Sequence, residues 1–79
     1  MTGSNKSEID IYIMTKVKQL RLQHNITQAV LAIKLGVSDA FVGQIENPKH
    51  TSKYSMAQLN RLAKIFDCSP RDFLPEQPI

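Results

Sequence analysis

The chain contains little of several residue types on which secreted and membrane proteins depend. It has one cysteine among 79 residues, so no disulfide can form within it, and we expect a reducing cytoplasmic environment. It has no tryptophan and only 6% aromatic residues, which argues against a large aromatic-lined ligand cavity. No apolar run reaches the roughly 18 residues of a membrane-spanning helix. The N-terminus also lacks the apolar core of a signal peptide. These absences predict a soluble cytoplasmic protein with no membrane partner.

Sequence signals of catalysis are also missing. We find no nucleophile–base arrangement, no phosphate-cradling glycine loop and no cluster with metal-ligand spacing. The two histidines, His24 and His50, have no cysteine or aspartate at ligand spacing. We therefore expect neither an enzyme nor a metal or cofactor site.

The composition fits one small globular domain. Apolar residues make up 42% and charged residues 22% of the chain, which is ordinary for a folded protein of this size. The net charge of +3 permits a polyanionic partner without requiring one. We predict a disordered tail over residues 1–6, one domain over residues 7–74 and a C-terminal tail over residues 75–79.

The segment from residue 27 to residue 47 predicts two short helices joined by a tight turn. Thr27 and Ser38 are suitable N-caps, and Gly36 can adopt the positive φ that ends a helix. The apolar residues repeat at helical spacing and predict the buried faces, namely Leu31, Ala32, Leu35, Val42 and Ile45. A helix–turn–helix of this kind allows its second helix to enter the major groove of DNA.

A longer helix is predicted before this segment, over residues 7–23. Ser7 is its expected N-cap, and Asn25 can take the left-handed conformation that follows a helix. Its expected buried stripe consists of Ile9, Ile13, Val17 and Leu20.

Two further helices are predicted after the segment. Ser55 and Gln58 form a capping box before an apolar face that consists of Leu59, Leu62, Ala63 and Phe66. A fifth helix is expected to begin at Ser69, with a proline at its first position and with Phe73 and Leu74 packing inward. The sequence therefore predicts an all-α fold, a five-helix bundle.

The ordered motifs resemble those of one known family. The pattern R-x₅-T-Q-x₂-L-A-x₂-L-G-V-S-x₃-V-x₂-I-E-N, from Arg21 to Asn47, is similar to that of phage-repressor (Cro/C1, or XRE) helix-turn-helix domains. A second run, from Leu59 to Leu74, resembles the last two helices of that family. The resemblance implies a lambda-repressor-like fold that binds double-stranded operator DNA as a homodimer.

The resemblance also implies roles for individual residues. The expected base contacts lie on the second helix of the motif, at Asp39, Ala40, Phe41 and Gln44. Arg21 and Glu46 match a structural pair that links the first helix to the end of the third. Cys68 stands at a family position that is normally small and apolar, which implies a buried core residue. Expected phosphate contacts lie at helix starts, at Thr27, Gln28 and Ser38. The loop after the third helix carries further expected phosphate contacts, because its basic residues follow the recognition helix, although such charges can also be merely solvated; they are Lys49, His50 and Lys53.

Several of these residues have a second interpretation. Gln44 can bond adenine with two hydrogen bonds, but it can also be merely solvated. Phe41 can contact a thymine methyl or be partly buried, and Asp39 can accept from cytosine or stabilise the helix N-terminus. Gly43 is unusual inside a helix, and a close approach of DNA or of another residue would explain it.

Val30 and Ile33 depart from the family pattern because these outward positions are usually polar. Either Ile11 or Tyr12 of the first helix covers them, which we favour, or they form a patch for a protein partner. The leading hypothesis is a DNA-binding transcription regulator, and specifically a repressor. The alternative is an antitoxin-like protein-interaction module. Such a regulator would suit a mobile element, a restriction–modification system or a toxin–antitoxin locus.

Overall fold

Four α-helices and a short 3₁₀ turn account for the regular structure of residues 6–79, the part of the chain that the computed structural model describes. The helices are α1 (Glu8–Gln23), α2 (Gln28–Leu35), α3 (Asp39–Ile45) and α4 (Met56–Phe66), followed by the 3₁₀ turn (Pro70–Phe73). No strand occurs between residues 6 and 79, so the all-α prediction is confirmed for this part. None of the four helices is both long and apolar enough to cross a bilayer.

The helices begin at the polar residues that the sequence predicts. The hydroxyls of Ser7, Thr27, Ser38 and Ser55 each accept a hydrogen bond from a backbone N–H in the first turn of α1, α2, α3 and α4. Gly36 ends α2 with a φ of +79°, as predicted for the turn between α2 and α3. These local signals fix where the two helices of the motif meet.

The predicted fifth helix is wrong, since the chain forms only the 3₁₀ turn at that place. Ser69 and Asp72 close a capping box around it, and Leu74 is already extended, with φ −104° and ψ 148°. The following Pro75 disfavours helical geometry at Leu74, which stops the turn after four residues. Phe73 is fully buried as predicted, whereas Leu74 is 38% exposed and does not pack inward.

The core is formed where the inner faces of the helices meet. All the apolar residues predicted to face inward on α2, α3 and α4 are buried. The predicted stripe of α1 is wrong at Ile9, which is exposed, and Ile13 and Leu20 are only partly buried. The buried face of α1 instead consists of Met14, Val17 and Arg21.

Two other burial predictions also need correction. Cys68 is partly buried rather than buried, and it packs against the edge of the core. Burial raises the pKa of its thiol, with a further contribution from Asp72 and Asp67, so the thiol stays protonated at neutral pH. Lys6, the last residue of the predicted disordered tail, is buried against the domain. The rest of that tail, residues 1–5, lies outside the described residues.

Candidate nucleic-acid interface

The motif formed by α2 and α3 presents one face of α3 outward. Val42 and Ile45 on its inner face are completely buried, so α3 cannot rotate without exposing the core. Asp39, Ala40 and Gln44 are exposed on its outer side. Their side chains form no hydrogen bond with any residue between 6 and 79, so their polar groups can meet a ligand.

Phe41 lies between these two faces of α3. Its side chain is half-buried and packs against the core. The solvent-exposed half of the Phe41 ring is therefore the part that we predict to contact a thymine methyl. The buried half anchors the start of α3.

A buried ion pair fixes the end of α3 to α1. The Arg21 guanidinium donates from Nε to Glu46 Oε2 at 2.8 Å and from Nη2 to Glu46 Oε1 at 2.9 Å. It also donates from Nη1 to the carbonyl oxygen of Ile26 at 2.8 Å. The two side chains are only 9% and 3% exposed. Arg21 and Glu46 thus meet as the resemblance implied, and they position α3 from inside the protein rather than from its surface.

Gln28 joins the same network from the start of α2. Its Nε2 donates to Glu46 Oε1 at 3.0 Å, so the side chain expected at a DNA phosphate already bonds to the end of α3. Its Oε1 lies 3.5 Å from where a Cβ on Gly43 would stand. The side chain of Gln28 therefore crosses from α2 to α3 beside Gly43. The sequence carries no local signal for this bond, because the two partners are 18 positions apart.

The other predicted phosphate contacts at helix starts are Thr27 and Ser38. Thr27 Oγ1 accepts from the backbone N–H of Val30 at 3.1 Å, and Ser38 Oγ accepts from that of Phe41 at 3.2 Å. Accepting these bonds leaves each hydroxyl hydrogen able to donate outward. Both residues are exposed, so the geometry is compatible with an anion at either helix start.

The loop after α3 carries the remaining predicted phosphate contacts. The backbone N–H of Lys49 donates to Asn47 Oδ1 at 3.0 Å, and the N–H of Ser52 donates to His50 Nδ1 at 3.0 Å. Lys53 forms an ion pair with Asp10, with its Nζ 3.5 Å from Oδ2; the lysine side chain is 64% exposed and the aspartate side chain only 16%. These bonds shape the loop. To contact a phosphate as predicted, Lys53 would have to give up its ion pair with Asp10.

A buried polar group that sequence analysis missed lies beneath this loop. Lys6 Nζ donates to the carbonyl oxygen of Asn47 at 2.7 Å and to that of His50. The nearby Tyr54 hydroxyl is buried and has no hydrogen-bond partner among the described residues. Burial raises the pKa of Tyr54 well above its usual range, with a smaller contribution from the Glu46 carboxylate.

Val30 and Ile33 lie on the outside of α2, at 41% and 76% exposure. The prediction that α1 covers them is wrong. Ile11 packs against the core instead, and the Tyr12 ring lies beneath the Lys16 ammonium, 5.6 Å from it. The two apolar side chains of α2 thus remain open to solvent.

Residues 6–79 contain no group of three or more histidine, cysteine, aspartate or glutamate side chains that could hold a metal ion.

Solved structures that resemble this chain include those of three regulatory proteins. An HTH_3 family transcriptional regulator from Vibrio cholerae is 29% identical with a TM-score of 0.69, over 82% of this chain and 35% of that protein. SinR, a master regulator for biofilm formation solved in complex with DNA, is 26% identical with a TM-score of 0.66, over 77% of this chain and 95% of SinR. The restriction-modification controller protein C.AhdI from Aeromonas hydrophila, 23% identical, shares the fold with a TM-score of 0.70, over 82% of this chain and 96% of that protein.

This chain thus spans about a third of the Vibrio cholerae regulator's length. A comparison with curated protein sequences gave no match. The helix-turn-helix family HTH_3 matches residues 17–73, from the middle of α1 to the end of the 3₁₀ turn. The chain belongs to HTH_3, the Cro/C1 type of helix-turn-helix transcription regulators.

Proposed function

We propose that this protein is a sequence-specific DNA-binding transcription regulator that places α3 in the major groove. The observation that carries the proposal is the division of α3 into two faces. The inner face is locked by buried Val42 and Ile45. The outer side presents Asp39, Ala40 and Gln44, whose side chains form no hydrogen bond with the rest of residues 6–79. A rigid helix with an uncommitted outer face suits the reading of base edges.

Each outward residue has a role in this proposal. The Gln44 amide forms two hydrogen bonds with adenine N6 and N7, which gives the strongest base discrimination. Ala40 and the exposed half of Phe41 contact thymine methyl groups. Asp39 accepts from a cytosine amine where the sequence offers one, and it otherwise stabilises the start of α3.

Phosphate contacts flank the groove in the same proposal. The backbone N–H groups at the starts of α2 and α3 point towards phosphate, aided by the hydroxyls of Thr27 and Ser38. Gln28 keeps its bond to Glu46 and donates its second amide hydrogen to phosphate. Lys49, His50 and Lys53 supply the charged contacts from the loop after α3.

We further propose that the protein represses transcription as a homodimer. Two copies on a palindromic operator would place their α3 helices about 34 Å apart, one DNA turn. Operator occupancy would then block RNA polymerase. SinR, solved in complex with DNA, supports the DNA-binding part of this proposal.

Enrichment of bound sequences from a random duplex library tests the proposal directly. We expect a palindromic consensus with half-sites one helical turn apart. A salt titration on the enriched duplex should show log affinity falling linearly with log salt, by roughly 0.9 per contacted phosphate. Failure to enrich any sequence, with the protein folded, would overturn sequence-specific binding.

The exposure of Val30 and Ile33 favours a second candidate function, an antitoxin-like module that binds a protein partner. Serine at both positions should leave the fold intact because neither side chain is buried. The matched control is Met56→Ser, which removes an apolar side chain that is 74% exposed on α4. Loss of a co-purifying partner in the double variant alone, with DNA affinity unchanged, would assign the α2 surface to that partner. An unchanged partner complex would exclude it.

A further inference from the structure

We infer that Lys6 is a positioning residue for the loop that follows α3, because its buried ammonium holds the turn of residues 47–50 in place. The consequence for DNA contact by Lys49 and His50 rests on the proposed function. The positioning of the loop by Lys6 does not depend on the proposed function.

The burial of Lys6 is the first observation. Only 5% of the residue is exposed, whereas lysine is almost never buried unless its charge is paired. Burial lowers the pKa of Lys6, and the nearby Asp10 carboxylate opposes this effect. A buried lysine that stays charged needs strong hydrogen-bond acceptors. The carbonyl oxygens of Asn47 and His50 are the acceptors for Lys6.

These two acceptors lie directly after α3. Glu46 is the C-cap of α3, so the carbonyls that follow it lie near the negative end of the helix dipole, where a cation is favoured. The Asn47 carbonyl also accepts from the backbone N–H of His50 at 3.0 Å, which closes a turn. Lys6 therefore binds both ends of that turn, at positions 41 and 44 residues away in sequence.

Two further hydrogen bonds that shape this turn are short-range. Asn47 Oδ1 accepts from the N–H of Lys49, and His50 Nδ1 accepts from the N–H of Ser52, in both cases across two positions. Bonds between such near neighbours shape the turn but do not fix it to the domain. Lys6 ties the turn to the start of α1, and the Lys53–Asp10 pair, in which only the lysine is exposed, makes a second link at the same end.

Loss of the Lys6 ammonium should therefore loosen the loop while leaving the helices intact. A loosened loop presents Lys49 and His50 less often to phosphate, which carries no sequence information. Each phosphate contact that is lost should weaken binding about eightfold at 0.1 M salt, if the slope of ~0.9 per contact is extrapolated to 1 M. The loss should be equal on enriched and random duplexes.

The test compares Lys6→Met with Lys6→Arg in the full chain. Methionine keeps the length of the side chain but removes its donors, whereas arginine keeps the charge and can donate to both carbonyls. Lys64→Met is the charge-matched control, because Lys64 is exposed on α4. The first measurement is amide hydrogen exchange without DNA. We expect the amides of Lys49, His50 and Ser52 to exchange at least tenfold faster in Lys6→Met, while the slow amides of α4 do not change.

The second measurement is affinity for an enriched and for a random duplex. We expect an equal loss on both in Lys6→Met, a salt slope smaller by about one, and recovery in Lys6→Arg. The inference would be overturned if amide exchange in the loop did not change in Lys6→Met, or if it became faster throughout α1–α4. It would also be overturned if Lys6→Met lost affinity for the enriched duplex only. If the wild-type protein binds no duplex, the proposed function fails while the exchange result still decides the role of Lys6.

Discussion

Gly43 lies inside α3, where a single added methyl group tests the fold and the DNA proposal separately. A Cβ at this position would meet only Gln28 Oε1, at 3.5 Å, which is an ordinary van der Waals contact. Gly43→Ala should therefore fit without displacing a neighbour. Glycine within a helix is about 0.5–1 kcal/mol less favourable than alanine. We expect the free energy of unfolding to rise by about that amount.

Gly36→Ala is the matched control because it adds the same methyl group in a different backbone conformation. No heavy atom lies within 4 Å of its added Cβ, so the methyl meets no steric neighbour. The φ of +79°, however, is in the left-handed region, where a residue other than glycine costs roughly 1–2 kcal/mol. The two variants should therefore change stability in opposite directions.

Urea unfolding followed by circular dichroism measures both variants. With a slope of about 1.5 kcal/mol per molar urea, the midpoint should rise by about 0.3–0.7 M in Gly43→Ala and fall in Gly36→Ala. A lower midpoint in Gly43→Ala would refute the reasoning. It would show that Gln28 and its bond to Glu46 leave no room for the methyl group.

The same Gly43 variant also tests why a glycine stands there. Asp39 and Ala40 lie one helical turn earlier on the same face, so the proposed DNA complex would bring the backbone at Gly43 close to the duplex. We expect Gly43→Ala to bind the enriched duplex about tenfold more weakly, since overpacking typically costs 1–3 kcal/mol. Unchanged affinity in the more stable variant would show that DNA does not require the glycine.

Three other predictions follow from contacts within the domain and on its outer face. Glu46→Ala leaves the buried Arg21 charge unpaired and should lower the free energy of unfolding by about 3–5 kcal/mol, measured in urea; a loss below 1 kcal/mol would contradict this. The raised pKa of Tyr54 keeps its hydroxyl protonated in the folded protein, so stability should fall above the unfolded pKa of about 10, by up to ~1.4 kcal/mol per pH unit. In urea unfolding at alkaline pH, the stability of Tyr54→Phe should fall less steeply with rising pH than that of the wild type. An identical pH dependence would show that Tyr54 is not the group responsible. Gln44→Ala should reduce discrimination at one base pair by about 1–3 kcal/mol, whereas Lys49→Ala should weaken binding to all duplexes equally; the opposite pattern in competition assays would reverse their roles.

Local sequence signals predicted α4 correctly because everything that defines it lies within one short segment. Its capping box and the apolar spacing that starts at Leu59 give both its start and its buried face. The last turn failed for a similarly local reason. Pro75 acts on Leu74, and this effect outweighed a capping pattern that is otherwise typical of an α-helix.

The buried face of α1 could not be predicted from its own residues. Spacing rules treat Arg21 as a surface residue, yet it is buried because Glu46 lies opposite it, 25 positions later. Lys6 is a second case, since its partners follow α3. Periodicity cannot identify partners so far away in the chain, and the Arg21–Glu46 contact was anticipated only through the family resemblance.

The candidate site was predictable in outline because of the same family resemblance. The resemblance placed the base contacts on α3, and the structure leaves Asp39, Ala40 and Gln44 exposed there. It did not indicate that Gln28 bonds Glu46, nor that Lys6 lies beneath the loop. Both features depend on side-chain contacts between elements rather than on motif order.

The outer side of α3 has a consequence for how such a regulator can evolve or be engineered. Because the side chains of Asp39, Ala40 and Gln44 form no hydrogen bond with another residue between 6 and 79, replacing them removes no side-chain hydrogen bond from the folded domain. Surface substitutions of this kind usually change stability by less than about 0.5 kcal/mol. If these side chains read bases as proposed, the choice of DNA target can be exchanged at nearly constant stability. New targets are accessible by stepwise mutation, and each intermediate remains a folded protein.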